Sequence, residues 1–127
     1  MFSITKEVWF SAAHYLTLSY DSPCARMHGH EWRVLVSVRS EVLNVDGMIV
    51  DFSLISEAIK DKYDHKLLND VFEQPTAERL AEKICTDLNE VVFQNGLLRP
   101  EFPICFSVHV WESQTSEAVY TLLLEEQ

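Results

Sequence analysis

Two separate stretches of this chain alternate with period two, which a strand satisfies and a helix does not. In the first, Ile4, Lys6, Val8, Phe10 and Ala12 interleave with Ser3, Thr5, Glu7, Trp9 and Ser11. In the second, Trp32, Val34, Val36 and Val38 interleave with Arg33, Ser37 and Arg39. Side chains of a strand point alternately to its two faces, so each segment has one face that must be covered. The cover comes from two segments of helical period. Ser53 is expected to cap a helix running to about Lys62, with Leu54, Ile55, Ala58 and Ile59 inward. Pro75-Thr76 opens a longer helix, in which Ala77, Leu80, Ala81, Ile84, Leu88, Val91 and Val92 recur at three- and four-residue steps. Glu78 suits the positive end of that helix, and Asn95-Gly96 is expected to close it. Ser19 to Met27 reads as a polar loop, Asp46-Gly47 as a turn, and Met48 to Phe52 as a short extended piece. Strands return at Ile104 to Trp111 and Ala118 to Leu124. The order ββααββ, with no repeat, linker or low-complexity tract, predicts one α+β domain over residues 1–127.

Composition narrows the classes of function. At 127 residues, 47% hydrophobic and 24% charged, the chain suits a single ordinary core. Ten Lys and Arg against 20 Asp and Glu give a net charge of −10, which argues against a phosphate-neutralising nucleic-acid surface and against anionic membranes. No apolar run approaches a membrane span, and MFSITKEVWF lacks the basic-then-apolar pattern of an export signal, so a cytoplasmic location is expected. There, three cysteines are expected as free thiols. Cys85 on an apolar helix face and Cys105 in an apolar strand read as core residues. Cys24, between Pro23 and a charged, His-rich run, does not.

That run is SPCARMHGHEW, Ser22 to Trp32. His28 and His30, two apart at the start of a strand, point to one side, with Gly29 leaving room between them. His14 ends the first strand, and a hairpin would bring it to the pair. Three neutral imidazoles on Zn²⁺ leave the ion its full charge and an open position. On the bare H-x-H alone, surface histidines flanking a turn are the plainer reading. Asp64-His65 offers a carboxylate that orients an imidazole for proton transfer, or simply an Asp capping a turn. Near such a pair, Cys24 becomes a reacting thiolate. Glu112 shares a face with Val108 and Val110 and needs a partner there. A heterocycle presenting two N–H groups would serve, and a rim Glu where the strand emerges fits equally well. His109, on the opposite face, reads as structural.

Taken in order, FSAAH (Phe10 to His14), C-x-x-x-HGH (Cys24 to His30), IVDF (Ile49 to Phe52), DHKLLND (Asp64 to Asp70), PTAE (Pro75 to Glu78) and the Glu of VWES resemble the family of 6-pyruvoyl- and 6-carboxytetrahydropterin synthases. The resemblance implies the tunnelling fold (T-fold), an antiparallel four-stranded sheet with two helices on one face. It implies zinc on His14, His28 and His30, a catalytic set of Cys24, Asp64 and His65, and Glu112 as pterin anchor. It also implies active sites between subunits, with Cys24 and the Asp64-His65 pair from different chains. Closing small sheets into a multi-chain barrel removes exposed edges, so a homohexamer of two trimers is expected. The three-residue spacer of CARMHGH looks like the bacterial 6-carboxytetrahydropterin synthases, which take 7,8-dihydroneopterin triphosphate towards 7-deazapurines such as queuosine. The triphosphate would be met by Arg26, Lys66 or Arg33. Rival readings are a 6-pyruvoyl synthase, a zinc hydrolase independent of Cys24, and a non-catalytic pterin- or purine-binding module.

Overall fold

A computed structural model describes residues 1–94 and 104–122. Its sheet is built on two long strands, β1 (Phe2–His14) and β2 (His28–Ser40), paired antiparallel from Phe2 opposite Ser40 to His14 opposite His28. The alternation in sequence is the alternation in burial. Val8, Phe10, Ala12, Trp32, Val34, Val36 and Val38 are buried, while their polar neighbours face away. The chain continues through α1 (Phe52–Tyr63), β3 (Lys66–Leu67), α2 (Ala77–Gln94), β4 (Ile104–Ser113) and β5 (Ser116–Thr121).

Strand order is β3-β1-β2-β4-β5, and both helices cover one face. Ile55, Ile59 and Tyr63 of α1 and Leu80, Ala81, Ile84 and Leu88 of α2 join the buried strand residues in one apolar cluster. An α+β T-fold is therefore what the chain adopts, with one correction. The sheet has five strands, because Lys66–Leu67 pairs with β1 in parallel at Ala12 and Ala13. Two residues carry too little periodicity to register as a strand in sequence, and this pairing is made by the long-range approach to β1.

Three local expectations also change. The cap of α1 is Asp51, not Ser53: its carboxylate accepts both the backbone N–H (2.9 Å) and the hydroxyl (2.8 Å) of Ser53. Residues 48–52 form no strand. The Asn44 side-chain oxygen accepts the N–H groups of Asp46 and Met48 and turns the chain, leaving Ile49 and Val50 to plug the core. β5 starts two residues earlier than expected, at Ser116. Thr76 opens α2 as expected, its hydroxyl accepting the Arg79 N–H at 3.1 Å. The Asn95-Gly96 stop and the end of the last predicted strand lie outside the described residues.

Side-chain clamps join the helices to each other and to the sheet. Asp87 of α2, mostly buried, takes Lys62 and the Tyr63 hydroxyl from α1 and Lys83 from its own helix. Burial and the adjacent Asp87 hold the Tyr63 phenol well above its ordinary pKa, so it remains a donor. The Asn89 amide pairs with both the N–H (2.8 Å) and the carbonyl (3.1 Å) of Cys105. Cys85 and Cys105 are core residues, as expected. Among the described residues no helix is long and apolar enough to cross a membrane.

Candidate functional site

The register of β1 and β2 makes the site. His14 lies directly opposite His28, and His30 lies opposite Ala12, so three imidazoles converge at one end of the hairpin on the helix-covered face. Ring centroids are 4.5 to 5.1 Å apart. Trp32 forms the floor, its indole edge-on to His14 and His30 and its N–H donated to the Ala12 carbonyl at 3.3 Å.

Hydrogen bonds fix which nitrogen of each ring faces inward. His14 donates Nδ1–H to the Pro75 carbonyl (2.7 Å), and His28 donates Nδ1–H to the Arg26 carbonyl (2.6 Å). A neutral imidazole has one N–H, so both Nε2 atoms are bare lone pairs. They face each other at 3.0 Å. Two acceptors at that distance repel, and a cation held between them turns the repulsion into two bonds. His30 Nε2 is also closed off from solvent and has no hydrogen-bond partner among the described residues. Burial, more than any neighbouring charge, holds the His30 pKa below the usual histidine value. Its imidazole therefore stays neutral and able to donate a lone pair down to a lower pH than a solvated one. The donor set and the orphaned nitrogen both fit a metal ion such as Zn²⁺.

Glu112 belongs to the same cluster. One of its carboxylate oxygens and the three imidazole nitrogens all lie within 4.8 Å of one another, and Oε1 is 3.3 Å from His30 Nε2. The alternation of Val108, Val110 and Glu112 placed it on this face but did not indicate that His30 waits there. Gly29 has a smaller part than expected. A Cβ on it would come no closer than 4.0 Å to the nearest heavy atom, so the room between the histidines comes from strand geometry.

Asp64 and His65 sit just after α1, strapped to β1. The Asp64 carboxylate accepts the Ser11 N–H (3.0 Å) and pairs with His65 Nδ1 (3.0 Å), and the His65 N–H reaches the Ser11 carbonyl (2.7 Å). The Ser11 bond, more than any other influence, keeps the Asp64 pKa below the ordinary carboxylate value. A depressed carboxylate pKa stabilises the fold above the unfolded value and loses that contribution as pH falls through the folded one. His65 has a left-handed backbone (φ 58°), and 82% of its side chain is exposed, its Nε2 making no hydrogen bond among the described residues.

Cys24 is exposed in a 3₁₀ turn (Pro23–Ala25) whose backbone is tied to the end of β1, Leu16 N–H to Cys24 C=O at 3.0 Å. No hydrogen bond joins its thiol to Asp64 or His65 among the described residues. Of the cationic candidates, Arg33 lies on the open face of the sheet, paired with Glu7 (3.0 Å) and stacked over Trp111 (4.4 Å), while Arg26 and Lys66 are exposed and carry no such pair among the described residues.

The supports of this site lie in loop side chains that carry no periodic signal in the sequence. Asn69 exchanges two hydrogen bonds with the backbone of Tyr15 (3.0 and 2.9 Å), and Gln74 does the same with Thr17 (both 2.9 Å). Two amide side chains thus continue the β3 pairing past the end of β1. Gln74, itself left-handed at φ 50°, delivers the Pro75 carbonyl to His14. The only trace in sequence is polar residues in loops, which is where such residues usually lie.

A test of His65 follows from its backbone. Glycine relieves a left-handed strain of about 1–2 kcal/mol but adds freedom to the unfolded chain, so His65→Gly should unfold within about 1 kcal/mol of wild type. If the imidazole moves protons, turnover should nonetheless fall about 10²- to 10⁴-fold. Denaturant titration beside a rate assay separates the two roles, and equal turnover would make His65 a structural residue.

Residues 3–122 match the family model described as 6-pyruvoyl tetrahydropterin synthase. The 6-carboxy-5,6,7,8-tetrahydropterin synthase of Bacillus subtilis is 31% identical over 129 residues, covering 94% of this chain and 84% of that protein. The protein of the same name from Synechocystis is 37% identical over 130 residues, covering 94% and 93%. Among solved structures, Caenorhabditis elegans 6-pyruvoyl tetrahydropterin synthase superposes with a TM-score of 0.72 at 22% identity, covering 96% of each chain. At that identity the likeness is one of fold.

Proposed function

The chain belongs to the 6-pyruvoyl tetrahydropterin synthase family, and from that premise we propose that it is a zinc-dependent 6-carboxy-5,6,7,8-tetrahydropterin synthase. The reaction is conversion of 7,8-dihydroneopterin triphosphate and one water to 6-carboxytetrahydropterin, acetaldehyde and triphosphate, in the biosynthesis of queuosine and related 7-deazapurines. The observation that carries the metal-dependent reading is the pair of His14 and His28 lone pairs aimed at each other at 3.0 Å. The carboxy product is favoured by the names of the relatives that align over most of the chain, at 31% and 37% identity. The short Cys-to-HGH spacer points the same way.

His14, His28 and His30 would hold the ion, with the Pro75 and Arg26 carbonyls orienting two of them. Zinc bound there supplies Lewis acidity, lowering the pKa of a side-chain hydroxyl of the substrate. The Cys24 sulfur would take and return a proton between that side chain and the ring. His65 Nδ1–H, held by Asp64, leaves Nε2 to accept the next proton, and ionised Asp64 stabilises the imidazolium that results. The Glu112 carboxylate would accept the 2-amino and N3–H donors of the pterin with its two oxygens. Cys24 of one chain would meet Asp64 and His65 of another, within a homohexamer of two trimers. The exposed side chains of Arg26 and Lys66 would serve the triphosphate better than Arg33, which is already paired.

Mass spectrometry of the products formed from 7,8-dihydroneopterin triphosphate tests the reading. Acetaldehyde with 6-carboxytetrahydropterin is the expected result. A product retaining all three side-chain carbons would assign the 6-pyruvoyl activity instead. Binding without turnover, in zinc-loaded protein, would leave a pterin-binding module.

A further inference from the structure

We propose that Asn69 and Gln74 are positioning residues for the Cys24 sulfur, acting through the segment Tyr15–Thr17 that they hold; this rests on Cys24 as the proton carrier proposed above. Residues 15–18 lie beyond the last pair of β1 with β2, yet burial keeps alternating along them as it does in a strand. Tyr15 and Thr17 are exposed, Leu16 and Leu18 half-buried. Extended backbone sends the N–H and C=O of successive residues to opposite sides. On one side, Tyr15 donates its N–H to the Asn69 side-chain oxygen (3.0 Å) and its carbonyl accepts the Asn69 amide (2.9 Å). Thr17 makes the same exchange with Gln74, both bonds at 2.9 Å. On the other side, Leu16 donates its N–H to the Cys24 carbonyl at 3.0 Å. The segment is thus a splint, clasped along one edge by two amides and carrying the turn of Cys24 on the other.

That turn depends on the splint because it has no buried residue of its own. Its internal bonds, Cys24 N–H to the Ser22 hydroxyl (3.2 Å), Ala25 N–H to the Ser22 carbonyl (3.1 Å) and Arg26 N–H to the Pro23 carbonyl (3.0 Å), shape it without fixing it to the sheet. Two bonds do fix it. One is Leu16 to Cys24, at the residue that bears the sulfur, and the other is the Arg26 carbonyl on His28. The Cys24 side chain makes no hydrogen bond among the described residues, so its placement is set through the backbone. The clasps themselves are firmly placed. Asn69 follows the fully buried Leu68, and Gln74 precedes the buried Pro75. A reacting group displaced by about 1 Å can cost about 100-fold in rate, which is the reason to hold an exposed turn so closely.

The test uses the full-length, zinc-loaded chain and compares wild type, Asn69→Ala, Cys24→Ala and the double variant. Hydrogen exchange at the Leu16 amide reads the bond to Cys24 without any turnover. Asn69→Ala removes both bonds on the neighbouring Tyr15 and should speed that exchange about tenfold or more. Zinc content and KM should stay near wild type while kcat falls about 10- to 100-fold. With Cys24 already replaced, Asn69→Ala should cost little further turnover, because the group it positions is gone. Unchanged Leu16 exchange, unchanged kcat, or an undiminished loss in the Cys24→Ala background would each overturn the proposal while leaving Cys24 as proton carrier. Loss of zinc from Asn69→Ala would route the effect through His14 and overturn it as well. Wild-type turnover in Cys24→Ala alone would overturn the proton-carrier reading and the proposal together. Should Asn69→Ala misfold, Asn69→Asp keeps the shape and the bond from the Tyr15 N–H but sets its second oxygen against the Tyr15 carbonyl. Wild-type exchange and kcat in that variant would equally overturn the assignment.

Discussion

His28→Ala is expected to empty the metal site and leave the fold standing. The imidazole supplies one of two lone pairs that face each other at 3.0 Å, so its removal relieves that repulsion in the metal-free chain. It also removes a donor outright, which should weaken zinc binding by more than the roughly 100-fold upper range for losing a supporting partner. A metal ion acting as Lewis acid is worth several kcal/mol, so turnover should fall by about a thousandfold or more. His28 is only half-buried, and the apolar cluster beneath the site does not include it. Far-UV circular dichroism and the unfolding midpoint of the metal-free protein should therefore stay close to wild type. Elemental analysis decides the matter: full zinc occupancy in the variant would remove His28 from the ligand set. The same substitution at His14 is a poorer test, because His14 is fully buried and its loss would leave a cavity.

Cys24→Ala is expected to do the reverse, keeping the metal and losing the chemistry. Cys24 is exposed, makes no side-chain hydrogen bond among the described residues, and is absent from the four-residue donor cluster. Its replacement should change neither zinc content nor stability by a measurable amount. If its sulfur carries a proton in the reaction, turnover should drop about 10²- to 10⁴-fold. A hydrolase working through a metal-activated water would be indifferent to the substitution. Turnover equal to wild type, with zinc present, would therefore remove the synthase mechanism and leave the hydrolase reading. Mixing Cys24→Ala with His65→Gly chains extends the test. If one active site draws these residues from two chains, mixed assemblies regain activity that neither variant has alone.

Much of the fold was legible because the signal is periodic and long. Thirteen-residue strands and an 18-residue helix repeat their pattern several times, so single exceptions such as Lys6 and Trp9 do not obscure it. What was misread is short or local. β3 has two residues, too few for any period. The cap of α1 moved from Ser53 to Asp51 because both can cap, and the choice fell to the carboxylate that reaches the Ser53 N–H and hydroxyl together. The stretch 48–52 looked extended because it is apolar, but its apolar residues serve as a plug under the helices.

The candidate site divides along the same line. The placement of four side chains was legible in the sequence: His28 and His30 on one side of a strand, His14 at the end of another, and Glu112 on the face of Val108 and Val110. Those follow from a period of two and from residue type. What each of these side chains is joined to depends on how the whole chain packs. That packing set His14 opposite His28 through the strand register, and it brought the Pro75 and Arg26 carbonyls up to fix the tautomers. It also put the Glu112 carboxylate 3.3 Å from Nε2 of His30. Proline and arginine carbonyls are backbone groups, present at every position and so invisible in the amino-acid code. Pairing across 61 residues, as between His14 and Pro75, depends on how the loop returns to the sheet. A side-chain pattern states which groups face inward, and the packing of the whole chain states which of them meet.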